Sequence, residues 1–434
     1  MQNSKTAIVW FTNNLRVRDN KVLFKACSEY EHVIAVYCFN PDVYKINEYG
    51  FKKTEKYRAK FIIESVNDLH NNLKKLNISL FLCYEHPHRF LPQFCLTHKA
   101  DALFFQREFT SEETLEIKHL RSSIPEQVEV FEYYDQFLVE PSNISFETHQ
   151  TPHIFTEFRK KVEKYGVIEK EVFPSKKSPS NLIENETELI TLEKLGFSDF
   201  TVPNYSAFPF SGGETQAFKR LQEYFFNSKK LSYYKKTRNG LLGVDYSSKF
   251  SPWLANGCIS AKSIYWELKK YEATIEKNES TYWLVFELIW RDYFKYIALK
   301  HGNKLFKIGG IKRTNYSWKR DEKLLQQWIN GETNEPFVNA NMIELKETGW
   351  MSNRGRQNVA SYFAKELQLD WRIGASYFES MLIDYDVHSN YGNWQYVSGV
   401  GNDPRDRKFN IQLQADRYDK NGNYQRTWLQ TTLF

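Results

Sequence analysis

Five short apolar runs lie within the first 134 residues, at 7–11, 33–39, 79–84, 101–106 and 127–133. Helical patterns separate them. Residues 56–76, for example, set Tyr57, Phe61, Ile62, Val66, Leu69 and Leu73 at helical spacing. Five strands alternating with helices predict a parallel, doubly wound α/β sheet. Ligands in such sheets bind at the carboxyl ends of the strands. No GxGxxG follows the first run, which argues against an ordinary dehydrogenase. That run breaks into "TNNLRVRDN", so Arg16, Arg18 and Asp19 stand just beyond the end of the first strand.

The pattern then changes. Residues 135–211 carry turn-formers ("EPSNISFETHQTP", "FTVPNYSAFPFSGG") and little sustained periodicity. They read as a long connection with short helical pieces such as 155–164. From residue 212 the chain reads as helical to near its end, with Glu214 favourable in a first helical turn. The expected organisation is an α/β domain over 1–134, a linker over 135–211 and an all-helical domain over 212–434.

Ten of the eleven tryptophans fall after residue 252, so the helical part is the aromatic one. No apolar run approaches the roughly 18 residues of a membrane span, and the start has no signal-peptide pattern. Five cysteines without CxxC spacing (Cys27, Cys38, Cys83, Cys95, Cys258) predict reduced, buried thiols and a cytoplasmic location. A net charge of +6 is compatible with a polyanionic partner, and equally with a surface carrying a few extra lysines.

Three clusters are candidates for chemistry. In "GVDYSSKFSPWLANGCIS", Ser247, Ser248, Lys249 and Ser251 gather hydroxyls and a cation just before a helical run starting at Pro252, a fair anion or phosphate site. An ordinary helix start with proline at its first position fits that stretch as well. In "LIDYDVHSNYGNWQYVSGVGNDPRDRKFN", Asp384, Asp386 and Asn390 precede Tyr391, Trp394 and Tyr396. Carboxylates with interleaved aromatics suit a flat polar ring such as a nucleobase or flavin. A metal reading of Asp384, Asp386 and His388 has only generic spacing behind it, and no metal site is assigned. In "GWMSNRGRQN", Arg354 and Arg356 flank a glycine; a buried arginine there needs an anionic partner. No GxSxG, HExxH or Walker A sequence is present. So many aromatics without a conventional catalytic set point to a cofactor that carries the chemistry.

These stretches, together with "VWFTNNLRVRDN", "FELIWRDYFKY", "GWMSNRGRQNVASYFAKEL" and "DWRIGASYFESMLIDYDVHSNYGNWQYVSGVGNDPRDRKFN", resemble the photolyase/cryptochrome family, specifically its DASH type, over about residues 6–430. The resemblance implies a U-shaped FAD in the helical domain. Ser247, Ser248, Lys249, Phe250 and Ser251 would hold its diphosphate, flanked by Tyr234, with Arg291 and Asn353 also lining the pocket. Arg356 and Asp384 would pair beside the isoalloxazine, Asp386 would bond the flavin ring and Asn390 would face its N5. Trp394, Trp371 and Trp318 match the family's electron-carrying tryptophan chain. The implied substrate is a cyclobutane pyrimidine dimer flipped out of DNA. Glu287 would bond it, with Trp290 and Tyr396 at its flanks. Tyr396 stands where duplex-acting enzymes usually carry Trp, which implies a preference for single strands. Asn353 and Gln357 replace the two histidines of (6-4) photolyases. Arg405, Arg407 and Lys408 are candidate phosphate contacts. "LFFQREFTSEE" resembles the segment that holds a 5,10-methenyltetrahydrofolate antenna, with Glu108 as its carboxylate.

Some positions depart from the family. Thr12 and Asn14 replace an Arg and an Asp, and losing both members of an ion pair is milder than losing one. Asn334 and Asn339 replace Gly and Asp; Asn334 is expected to take a left-handed turn conformation. The activity implied is light-driven repair of cyclobutane dimers, preferably in single-stranded DNA, by a monomer without a membrane partner. A blue-light photoreceptor that binds DNA and signals without turnover is the rival. Glu287, Trp290 and Asn390 favour repair, as does an end at Phe434 soon after the last motif.

Overall fold

The computed structural model describes residues 5–185 and 187–430. Its N-terminal part is a five-stranded sheet of β1 (Thr6–Phe11), β2 (His32–Cys38), β3 (Leu80–Cys83), β4 (Ala102–Gln106) and β5 (Glu129–Tyr133). All pairings are parallel and the order is β3-β2-β1-β4-β5. Each expected strand is present, trimmed by one or two residues at an end or extended by one. The central strands are buried on both faces, as parallel sheets between helices must be, which is why they read as unbroken apolar runs. The chain winds outward from β1 in both directions, so its switch point lies between β1 and β4. The loops that follow these two strands carry Arg16–Asp19 and Glu108.

Alternation along β1 divides the core. Ile8 and Trp10 face one cluster, shared with Leu91, Phe94 and Cys95 of the helix Pro87–Thr97 and with Ile117 and Leu120 of the helix Ser111–Ser123. Ala7, Val9 and Phe11 face a second cluster that runs without a break into Trp253, Trp328, Trp371 and Trp394. The helical body is therefore packed on one face of the sheet. Its axis is the helix Glu279–His301, opened by a capping box at Asn278. Between β5 and the helix Glu214–Gln222 the chain is largely irregular, with one longer helix at Phe155–Tyr165.

The first loop joins these parts. Arg16 is buried and ion-paired with buried Asp135 at 2.9 Å. Its guanidinium also donates to the carbonyls of Asp19, Asp135 and Gly257. Arg18 forks onto Glu171 at 2.8 Å through both nitrogens and reaches Glu267. Asp19, at φ 53°, accepts from Ser260 Oγ at 2.5 Å and lies 3.3 Å from Lys262 Nζ. Aspartate tolerates that left-handed backbone better than most residues. Asp292 completes the seam by accepting the amide N–H groups of Leu138 and Val139.

Two expectations change in detail. Asn334 keeps a negative φ, so the turn there is not left-handed. Asn339 closes it instead, accepting from the Thr333 N–H at 2.9 Å and donating to its carbonyl at 2.8 Å. All five cysteines are free thiols, but Cys83, at the end of the edge strand β3, is only half-buried.

Candidate functional site

A cavity of about 550 Å³ opens within the helical body, a size suited to a cofactor. One wall is the loop leading into the short helix Ser251–Ala255, with Ser247, Ser248, Lys249, Phe250 and Ser251, beside Tyr234. Arg220 shapes this loop from behind. Its guanidinium collects the carbonyls of Val244, Ser247 and Ser248 and the carboxylate of Asp245. Lys249 sits at φ 64°, a costly backbone for a side chain with a Cβ. Its buried ammonium has no hydrogen-bond partner among the described residues. It rests over the rings of Tyr246 at 3.2 Å and Trp350 at 4.7 Å. Burial holds its pKa well below the usual lysine value.

The opposite wall holds carboxylates. Arg356 Nη2 bonds both Asp384 oxygens at 2.9 Å while Nε donates to the Met351 carbonyl. The pair expected from sequence is thus formed. Asp386 caps the helix Val387–Ser398 through the Ser389 N–H at 2.8 Å and accepts from Lys295 Nζ at 2.9 Å. Burial opposes its charge, but Lys295 and His388 hold its carboxyl well below the ordinary range. Lys295 Nζ is also 3.0 Å from His388 Nδ1. An internal ammonium occupies the position that a metal between Asp386 and His388 would need. Burial lowers the pKa of His388 to about 4. Asn390 stands behind this wall rather than on it; its Nδ2 donates to the Ala375 carbonyl at 2.9 Å.

At the mouth, Glu287 is ion-paired with Arg238, and burial raises its pKa against that partner. Trp290 stacks face to face on Phe155 at 3.6 Å and meets Tyr396 edge-on at 6.0 Å. Arg407 donates to Tyr396 Oη at 2.8 Å and to Asp403 Oδ2 at 3.1 Å. Arg291, on the wall, donates to the carbonyls of Gln136 and Leu254. Asn353 and Gln357 also line the cavity. Arg405 and Lys408 do not; both are exposed, and Lys408 pairs with Glu366.

The three tryptophans recede from the cavity. Trp394 is 2% exposed, Trp371 0%, and Trp318 is half-buried. Gly374, one helical turn beyond Trp371, touches the Trp394 ring so closely that a Cβ would lie 2.3 Å from it. Lys319, next to Trp318, bridges Leu369, two residues before Trp371. None of the three lines the cavity, and Trp318 is the one that reaches the surface. Glu108 lies elsewhere, beyond β4, accepting from Gln106 Nε2 at 2.5 Å. Burial and Glu113 push its pKa up to about 8, while Lys295 acts on it across the seam.

Residues 7–178 match the family described as DNA photolyase, and residues 283–432 match the FAD binding domain of DNA photolyase. The chain is 44% identical over 428 residues to Cryptochrome DASH of Gloeobacter violaceus, covering 98% of this chain and 86% of that one. It is 43% identical over 437 residues to Cryptochrome DASH of Danio rerio, at 99% and 84% coverage. The crystal structure of a Synechocystis cryptochrome superposes with a TM-score of 0.93 at 42% identity, covering 99% and 89% of the two chains. The chain belongs to the photolyase/cryptochrome family, in its cryptochrome DASH branch.

As a member of that family it binds FAD. The cavity fits the cofactor on its own chemistry: Lys249 is a buried cation without a hydrogen-bonding partner among the described residues, beside three serine hydroxyls, which a diphosphate would satisfy. Sequence reasoning missed four supports of the site. Arg220, Arg238, Lys295 and Asp403 act only through partners distant in the chain or hidden in a loop. Nothing local in the sequence around Arg238 marks it as the partner of Glu287. No described helix is long and apolar enough to cross a membrane.

Proposed function

We propose that this protein is a light-driven, FAD-dependent lyase that splits cyclobutane pyrimidine dimers, preferably in single-stranded DNA. The observation that carries the reading is that Glu287, Trp290 and Tyr396 share one cavity with the Lys249 loop and the Arg356–Asp384 pair. The chemistry that FAD held there would supply, when reduced and photoexcited, is reversible one-electron donation to the dimer, opening the two C–C bonds of the ring with no net redox change.

The chain's own groups have separable tasks. Lys249 and the serines neutralise and bond the diphosphate. Asn390, just behind the wall, places a neutral amide rather than a carboxylate there. Glu287 bonds the dimer, and burial raises its pKa against the pull of Arg238. Arg238 sets the position of that carboxyl. Trp290 and Tyr396 form the apolar sides of the pocket, and Arg407 reaches the phosphates. Trp394, Trp371 and Trp318 carry electrons inward from the surface to keep the cofactor reduced. Glu108, at the seam with Lys295 and Asp386, is the candidate anchor for a methenyltetrahydrofolate antenna. Five free thiols fit a reducing cytoplasm.

The test is repair by chemically reduced, FAD-loaded protein of dimer-containing oligonucleotides, single-stranded and duplex in parallel, in light and in darkness. Light-dependent repair of the single strand is expected. Equal repair of both would overturn the assigned preference. Repair of neither, with FAD bound and photoreducible, would overturn the lyase reading in favour of a blue-light sensor.

A further inference from the structure

The α/β domain carries a second polar cluster that takes no part in the cavity. It lies where the connections after β2 and β3 meet the helix Ser111–Ser123. His86 caps the helix Pro87–Thr97 without a side-chain cap hydrogen bond, and His88 is that helix's second residue. Glu116 approaches from the packed helix Ser111–Ser123. One ligand atom from each of His86, His88 and Glu116 lies within 4.8 Å of the other two. The three side chains are only 15%, 25% and 16% exposed.

The bonding within the cluster is incomplete. His86 Nδ1 is buried without a hydrogen-bond partner among the described residues, although Asp42 Oδ2 is 3.4 Å away. Glu116 Oε1 is engaged twice by His88, through its N–H at 2.9 Å and its Nδ1 at 2.9 Å. Those two bonds orient the carboxylate and leave Oε2 outside them. His119, one turn beyond Glu116, packs its ring 5.4 Å from that of His88. A salt bridge explains His88 and Glu116 but leaves the buried His86 Nδ1 without a hydrogen bond, with only Asp42 Oδ2 at 3.4 Å.

We propose that His86, His88 and Glu116 form a binding site for a divalent transition ion, zinc being the ion of choice, with Asp42 or water as the fourth ligand. Two imidazoles and a carboxylate are a recurrent zinc donor set. The imidazoles disfavour magnesium and calcium, which take oxygen ligands. Binding replaces any proton on the two ligating nitrogens, so it releases protons and weakens as pH falls. The ion ties the connection after β3 to the helix Ser111–Ser123 and, where Asp42 is the fourth ligand, the connection after β2 as well.

The experiment uses untagged, FAD-loaded protein stripped with a chelator, titrated with zinc chloride by calorimetry and analysed for bound metal after desalting. One zinc per chain is expected, with the thermal midpoint raised. H86A/H88A should weaken binding on the order of 100-fold, and E116Q about 10- to 100-fold. H149A, an exposed histidine elsewhere, should change nothing. Unaltered FAD absorbance shows that a variant has folded. Zinc uptake equal in wild type and E116Q or H86A/H88A, or no uptake by wild type, would overturn the site.

Discussion

Replacing Arg16 by methionine tests whether the first loop is the lock between the sheet and the helical body. Methionine keeps most of the apolar stem and removes the guanidinium. Three buried carbonyls then lose a donor, those of Asp19, Asp135 and Gly257, at about 1 kcal/mol or more each. Asp135, already pushed up to about 6 by burial against the pull of Arg16, loses that partner. Breaking a buried pair from one side costs about 3–5 kcal/mol, so with the three carbonyls R16M should lose about 6–8 kcal/mol near neutral pH.

R16M/D135N removes the stranded charge while Asn can still accept the Lys21 N–H; it should recover about 2–3 kcal/mol. The pH dependence has a definite sign. A carboxyl whose folded pKa lies above its unfolded value favours folding at low pH, and that contribution is lost as pH rises through the folded pKa. In R16M the folded pKa of Asp135 rises further, so the deficit should widen by roughly 2 kcal/mol between about pH 5.5 and 7.5. Urea unfolding of FAD-loaded wild type, R16M and the double variant at both pH values measures all of this. A single variant within about 1 kcal/mol of wild type, or a double variant no more stable than the single one, would refute the lock.

Other outcomes follow from the cavity. K249M should loosen FAD roughly 10- to 100-fold, the scale of a bond to a charged group, read as retention on gel filtration. W371F should block photoreduction by an external donor yet leave repair by chemically reduced protein near wild type, which separates the tryptophan chain from the lyase chemistry. E287Q should lower the quantum yield of repair without altering the FAD spectrum, and an unchanged yield would remove Glu287 from the pocket's working groups. Burial raises the pKa of Glu344, which bonds Tyr424 Oη at 2.6 Å, to about 7. Its contribution should therefore fade as pH rises from about 4.5 to 7, by up to roughly 3 kcal/mol, and E344Q should flatten the melting-temperature profile across that range.

The sheet was legible because its inner strands are buried on both faces, so β1, β2 and β4 appear as continuous apolar runs. The ends were less legible: Tyr84 falls outside the ladder because β2 ends at Cys38, opposite Cys83, whereas Ser79 precedes β3 and still accepts the Ala35 N–H. Ser247–Ser251, Asp384 and Asp386 stood out as clusters of one chemical type within a few residues. Their supports did not. Arg238 and Glu287 are 49 residues apart, and Lys295 and Asp386 are 91 apart. Such pairs exist only once the helices have packed. His86, His88 and Glu116 escaped for the same reason, and Asn334 because its neighbour Asn339 closes the turn from outside it.

The lock also sets a timetable. Arg16 and its acceptor Gly257 are 241 residues apart, and Arg16 and Asp135 are 119 apart. At roughly 5–20 residues per second, Asp135 follows Arg16 out of the ribosome after about 6–24 s, and Gly257 after about 12–48 s. For that interval the newborn sheet holds an arginine and an aspartate whose final partners have not been made. The N-terminal region must therefore survive synthesis with its first loop hydrated and open, and it reaches its final form only when the helical body arrives.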